Sequence, residues 1–600
     1  MNKLIRCSFI LVSALFLKRI KFCCNRTRVH KVGYGLCIVL CFFSKIATAA
    51  LPSSSEWDAL AIQLTGRLIK PVSVIEPCKS DASLIACTTT LKKIHNPFYL
   101  DDTAGATQSQ GWFKAWDFSN SSYAVEAINT KDVVAAVKFA RNHRIKLVIK
   151  GTGHDYLGRS NAVDSLLVWT HKMRQVQSID AFVPTGCPNS VTAVPAVKVS
   201  AGTQWLQAYD EVSNKHGRYV QGGGCTTVGA AGGFTQGGGF GSFSKKFGTG
   251  AGGVLEAEVV MADGAVLIAN QCQNQDLFWA IRGGGAGTFG VVTHMTLKTH
   301  SLPKSLGILQ GTIAAKTDEA YKVLIEKFIH FYRRDLNNEH WGEQIAFNPS
   351  NKIDLFLVYQ ELTPNQAKKT WDSFSQWVKK NPNLFTLDIT LWSIPPRKLW
   401  DMAYWQKNHP EMVTQNRGEN AVPGQYWWTP NSKEVFNYWY TYQSWWLPLD
   451  LMSEKNTHNL ANLFYKASRL AKFSLHINKG LAGASPMAVK QADEIAFNPA
   501  VYDAAALVIM AAGSNQVYPG VLGHEPEPEV IKKIVEKINR TMKLFVDAAP
   551  YAGAYANEAD YFQKDWQRAF WGRNYAKLLK IKKKYDVSNF FNCHHCVGSE

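Results

Sequence analysis

The spacing of apolar positions changes period along the chain, and each change predicts an element. From Thr130, the residues Val133, Val134, Val137, Phe139 and Ala140 recur at helical spacing. Thr130 is suited to capping and Asp132 falls in the first turn, where the helix dipole favours an acid, so a helix is predicted that ends near Arg144. The continuous run Lys146-Leu-Val-Ile-Lys150 predicts a short strand that delivers the chain into Gly151-Thr-Gly-His-Asp-Tyr-Leu-Gly158. Further strands are predicted over 165–170, from Leu255 up to a turn at Ala262-Asp-Gly264, and over 291–297; a short helix over 276–282 precedes the last of these.

Glycine clusters punctuate this half of the chain. The loop with Gly151, Gly153 and Gly158 follows a strand, so its backbone N–H groups can approach a phosphate closely. The run 222–241 is denser still, but it interleaves Cys225, Val228 and Phe234, which a flexible linker would not; it reads as closely approached, buried backbone. Gly285, Gly287 and Gly290 formally satisfy GxGxxG. Their order is helix, glycines, strand, the reverse of the dinucleotide fingerprint, so a Rossmann NAD site is rejected. Beyond about residue 303 glycine thins, and Trp and Tyr crowd between Trp392 and Trp446. A second domain is predicted there, its aromatics serving either as core or as the lining of a cleft.

At 600 residues the chain exceeds one hydrophobic core, and its 46% hydrophobic and 19% charged composition is that of a globular protein. The first 50 residues differ: they hold nine Lys/Arg, no acid and two apolar runs, and Ala47-Thr-Ala49 offers a signal-peptidase site near Ala49 or Ala50. Export is expected, with an uncleaved anchor as the alternative and no membrane span in the mature form. Without that leader, 57 Lys/Arg face 47 acids, a net +10 spread over a long chain with no long basic block interleaved with aromatics, so no nucleic-acid partner is expected. Seven cysteines remain beyond the leader, an odd number for an oxidising compartment. Cys78 with Cys87, and Cys593 with Cys596, suit short-range bridges, although Cys593-His-His-Cys596 also has the residue types of a zinc site.

Together the string 150–160, Cys225-Thr-Thr-Val-Gly229, Gly237-Gly-Gly239, Asp276-Leu-Phe-Trp-Ala-Ile-Arg-Gly-Gly284, Phe289-Gly290, Tyr585-Asp586 and Asn589-Phe-Phe591 resembles the berberine bridge enzyme-like branch of the vanillyl alcohol oxidase flavoprotein superfamily. Val168-Trp-Thr-His171, Asn557-Glu-Ala-Asp560 and the end of the chain from Cys593 are similar to its isoamyl alcohol oxidase-like subgroup. The resemblance implies an α+β fold: a two-lobed PCMH-type FAD-binding domain over 90–302, a substrate domain over 303–545 with an antiparallel sheet flanked by helices, and a segment 546–600 that returns to the FAD side. It implies FAD bound covalently, through His154 to the flavin 8α-methyl and through Cys225 to C6. An imidazole and a thiolate are the nucleophiles suited to an electron-poor ring. The rest of the FAD site is expected from Gly151, Thr152, Gly153, Asp155, Gly158, Ser160, Thr226, Val228, Gly229, Gly232, Gly233, Gly237, Gly239, Asn557 and Asn589.

The implied reaction is hydride transfer from the C–H of an alcohol or sugar-like substrate to the flavin, then reoxidation by O2 with release of H2O2. Val228 stands where related sequences gate oxygen, and valine there resembles the oxygen-reactive members. Relatives place a tyrosine after the Asn of a Tyr-x-Asn-Tyr segment; this chain reads Tyr555-Ala-Asn557-Glu558, so Glu558 is the first candidate for the base, with Tyr555 and Tyr156 as alternatives. A flavin dehydrogenase with another acceptor and a non-catalytic exported flavin-fold binding protein are the competing classes.

Overall fold

Asn129, not Thr130, caps the helix Thr130–Asn142: its side chain accepts the Asp132 N–H at 3.0 Å. Thr130 Oγ1 donates instead to Glu258 at 2.6 Å. Asp132 also has a larger role than the dipole suggests, since its buried carboxylate accepts the N–H groups of Thr65, Gly66 and Ile128 at 2.7, 3.1 and 3.0 Å. These details come from a computed structural model that describes residues 51–79 and 84–599. The predicted leader lies outside the described residues.

The helix crosses between two strands of a four-stranded sheet ordered Arg67–Ile69, Tyr123–Glu126, Ser165–Trp169, Lys146–Lys150, in which the last three strands run parallel. Val133, Ala136, Val137 and Ala140 bury their apolar stripe against Val125, Leu147, Leu166 and Val168. The loop that starts at Gly151 therefore leaves the carboxyl end of a parallel strand, the end at which open α/β sheets bind ligands. Lys150 fixes that departure: its buried ammonium donates to the carbonyls of Thr103, Ala104 and Ala106 at 3.2, 2.7 and 2.8 Å.

A second, six-stranded sheet holds Val266–Asn270, Val254–Val260, Val291–Ser301, Val194–Ser200 and Val176–Phe182 in that order, with Arg218–Val220 paired to Val291–Ser301. The predicted order helix, glycines, strand is present as Gln275–Ile281, the glycine run and Val291–Ser301. The third sheet has nine strands and takes seven from the chain beyond residue 303, from Leu306–Ala315 to Ala504–Ser514. Its edge is completed by Ser109–Trp112 and Trp116–Asp117, and Ser109–Trp112 runs parallel to Asn437–Pro448. Helices Asp318–Phe331, Glu454–Leu470 and Pro528–Ala548 flank it through a core that contains Phe328, Phe347, Phe464, Phe473 and Phe545. The fold is thus α+β, as the resemblance implied.

Most of the aromatic-rich stretch is core. Trp405, Tyr426 and Trp446 are fully buried, and of Tyr426-Trp-Trp428 it is Trp427 that reaches the cavity described below. Six cysteines pair as Cys78–Cys87, Cys187–Cys272 and Cys593–Cys596, which removes the zinc alternative for the last pair. Cys225 alone is unpaired among the described residues.

Candidate active site

A cavity of about 410 Å³ runs between the glycine loops and the third sheet. Its walls are the loop 151–161, the segment 225–234, the glycine run at 286–287 with the strand start at 290–292, and residues 591–594 near the end of the chain. The opposite wall comes from Trp427, Asn431, Glu434, Lys479 and the stretch at 555–561.

The structure gathers nearly every expected site residue there. Positions 151–156, 158 and 160, then Cys225, Thr226, Val228, Gly229, Gly232 and Gly233, and Tyr555, Asn557 and Glu558 all face the cavity. Three expected residues stand behind the wall. A Cβ on Gly237 would lie 2.2 Å from Asn557 Oδ1, Gly239 donates its N–H to the Tyr555 hydroxyl at 3.0 Å, and Asn589 donates to Gly598 O at 2.8 Å, so each supports a neighbour without lining the space. Missed in the sequence were Asn431, Glu434, Lys479, Tyr561 and His594. No local motif marks them, since they come together only through the third sheet and the returning C-terminus.

His154 Nε2 lies 2.9 Å from Thr227 Oγ1, and burial holds the imidazole down to about 4, so the ring is neutral with one nitrogen engaged. Cys225 Sγ accepts an N–H from Asn431 Nδ2 at 3.1 Å. Burial first, then the Glu434 carboxylate, push that thiol up to about 12, so the sulfur is held protonated. Gly158 has φ +69° and a Cβ there would sit 2.5 Å from the Trp116 ring, so the loop can turn only with glycine.

Of the candidate bases, Glu558 directs both carboxylate oxygens at Lys479 Nζ, 2.6 Å from each. Tyr555 is buried, its hydroxyl oxygen accepting N–H donors from Gly239 and Asn557, both at 3.0 Å. Tyr156 stacks on Tyr442 with ring centres 4.7 Å apart, and burial pushes its phenol far above the usual range. Burial raises the carboxyls of Glu434 and Glu343.

Two stretches of the chain match family models: residues 121–270 a "FAD binding domain" and residues 554–598 "Berberine and berberine like". The FAD-linked oxidoreductase ZEB1 of Gibberella zeae is 30% identical, with 92% of this chain and 91% of that protein covered. The chain is a berberine bridge enzyme-like FAD-linked oxidoreductase. This flavoprotein also shares its fold with the VAO-type flavoprotein MtVAO615 of Myceliophthora thermophila C1, at 25% identity and a TM-score of 0.73 over 92% of this chain and 97% of the other. The glucooligosaccharide oxidase of Acremonium strictum, which carries a 6-S-cysteinyl, 8α-N1-histidyl FAD, has the same fold at 18% identity and a TM-score of 0.61, over 88% of this chain and 100% of the other. FAD is the cofactor of this oxidoreductase, and the cavity suits it: Thr226 Oγ1 is buried on the wall with no partner among the described residues, and a Cβ on Gly233 would meet nothing within 4 Å. No helix of the described residues is long and apolar enough to cross a membrane.

Proposed function

We propose that this oxidoreductase is an exported alcohol oxidase whose FAD is held covalently through His154 and Cys225. The observation that carries the reading is the meeting of an imidazole and the one unpaired thiol among the described residues, 225 − 154 = 71 positions apart, on the walls of a single cavity. In this reading the FAD-binding lobes are 90–302, the substrate domain is 303–545, and 546–600 returns to close the FAD side. The cofactor, when bound, supplies the electron chemistry.

The chain's own residues handle everything else. His154 offers a nitrogen lone pair that burial keeps unprotonated, and the Thr227 contact at Nε2 leaves Nδ1 available for the 8α position. The glycines of 151–158 and 229–233 let backbone N–H groups approach the diphosphate, while Ser160 and Thr226 add hydroxyls. On the far wall, Glu558 takes the proton of the substrate hydroxyl; Lys479 compensates its charge until then, and Tyr555 and Tyr156 orient the alcohol. Val228 lines the cavity, and its likeness to the oxygen-reactive members supports O2 as the acceptor.

The test is acid precipitation of the purified protein, followed by peptide masses and a panel of aliphatic, aromatic and sugar alcohols read by peroxide release. A yellow pellet, flavin on the peptides of His154 and Cys225, and peroxide with at least one alcohol are expected. A colourless pellet overturns the covalent reading, and substrate-dependent flavin reduction without peroxide makes the enzyme a dehydrogenase.

A further inference from the structure

One polar cluster on the wall has no task in hydride transfer. Asn431 and Glu434 stand one turn apart on the 3-10 helix Thr429–Glu434, and both face the cavity with Cys225. Asn431 Nδ2 donates to Sγ, so the thiol is held in one orientation with an N–H already directed at it. Glu434 engages in no hydrogen bond or ion pair among the described residues. Glu434 is solvent-accessible and lines the cavity, with protein packed around that opening.

The two attachment residues differ in what they need. His154 is neutral and has a lone pair ready, whereas Cys225 holds a proton that ambient water cannot remove at neutral pH. The charged groups that act on this sulfur are Glu434, Lys479 and Glu558. Lys479 and Glu558 form an ion pair at 2.6 Å, whereas Glu434 is unpaired among the described residues and stands one turn from the Asn431 that holds this sulfur.

We propose that Glu434 is the proton acceptor that arms Cys225 for its bond to flavin C6, with Asn431 as the positioning residue that stabilises charge as it develops on sulfur. The step rests on the covalent reading above. The Sγ–H bond breaks and its proton goes to the Glu434 carboxylate while the Sγ–C6 bond forms. The hydrogen at C6 leaves as a proton, and the two electrons left on the ring pass to dioxygen, which takes up two protons. The sum is thiol plus oxidised flavin plus O2 giving thioether-linked oxidised flavin plus H2O2. Burial and the neighbouring Glu558 charge raise the Glu434 carboxyl, which makes it a stronger base than a surface acid.

The experiment compares the wild-type chain with Glu434→Gln, Glu434→Asp and Asn431→Ala. Peptide masses report flavin on His154 and on Cys225 separately, and alkylation after denaturation counts the free Cys225 thiol. In Glu434→Gln the His154 adduct is expected to persist while Cys225 attachment slows by about 100-fold, leaving that thiol open to alkylation; Glu434→Asp falls between. Wild-type occupancy at Cys225 in Glu434→Gln overturns the proposal. Should that variant fail to accumulate, equal Cys225 occupancy in wild type, Glu434→Asp and Asn431→Ala overturns it as well. A wild-type protein linked at His154 alone removes the proposal but keeps the flavin reading, and a wild-type protein without any flavin peptide removes both.

Discussion

Single residues carry the chemistry, and two substitutions separate its parts. Glu558→Gln keeps the shape of the side chain and removes the proton acceptor, so kcat is expected to fall by about 100-fold or more while the His154 flavin peptide stays intact; unchanged peroxide release would transfer the role to another group. The same change leaves Lys479 without its partner, and because both side chains are mostly buried, a stability loss of roughly 3 kcal/mol should accompany it in urea titration. Gly158→Ala acts differently. It forces a side chain into a positive-φ position against Trp116, and is expected to lower flavin content in the purified protein with no effect on the proton steps. His154 and Cys225 were legible in the sequence because each stands among glycines in a short motif of its own. Glu434, Asn431 and Lys479 were not, because nothing local marks a carboxyl whose neighbour in space is a thiol 434 − 225 = 209 positions away.

At the scale of elements, the period of the apolar pattern located the helix Thr130–Asn142 and the strand Lys146–Lys150, whose burial is one-sided or continuous. The cap was missed by one position, since Asn129 outcompetes Thr130 once Glu258, from a distant strand, engages the threonine hydroxyl. Aromatic density could not distinguish a wall from a core; only tertiary packing sends Trp427 to the cavity and Trp405 and Trp446 into the interior. The pairing of Cys187 with Cys272 was equally hidden, as 85 positions separate them. That bridge pins the connection after Val176–Phe182 to the turn after Val266–Asn270, where Thr185 also donates to Glu256 at 2.7 Å. Replacing both cysteines by serine is expected to cost about 4–5 kcal/mol through the freed loop, seen as a lower thermal midpoint, with flavin occupancy unchanged because neither residue touches the cavity.

For the whole molecule, acid should be the weak side. Burial holds His300 down to about 4, burial with His594 and Arg159 holds His595 down to about 3, and burial pushes His476 well below the ordinary 6.5. Above pH 6.5 these imidazoles are neutral in both folded and unfolded chains and contribute nothing. Below it the unfolded chain takes up protons that the folded one refuses, so stability falls as pH drops from 6.5 towards 4, by up to about 1.4 kcal/mol per pH unit for each group. Glu258, held down to about 2 first by its hydrogen bond to His294, adds to the same decline below its ordinary 4.5, where its stabilisation starts to be lost. Thermal midpoints from pH 7 to 5 should therefore decline steadily; a flat profile would mean these rings are hydrated. One further consequence lies in the order of synthesis. Residues 591–594 form part of the wall, and they are made after every strand of the three sheets. A chain made only as far as the last strand has an open trough where the longer one has a wall, so lasting capture of a dinucleotide must await these later residues, and any stop codon before Phe591 should yield a colourless product even when every sheet has formed.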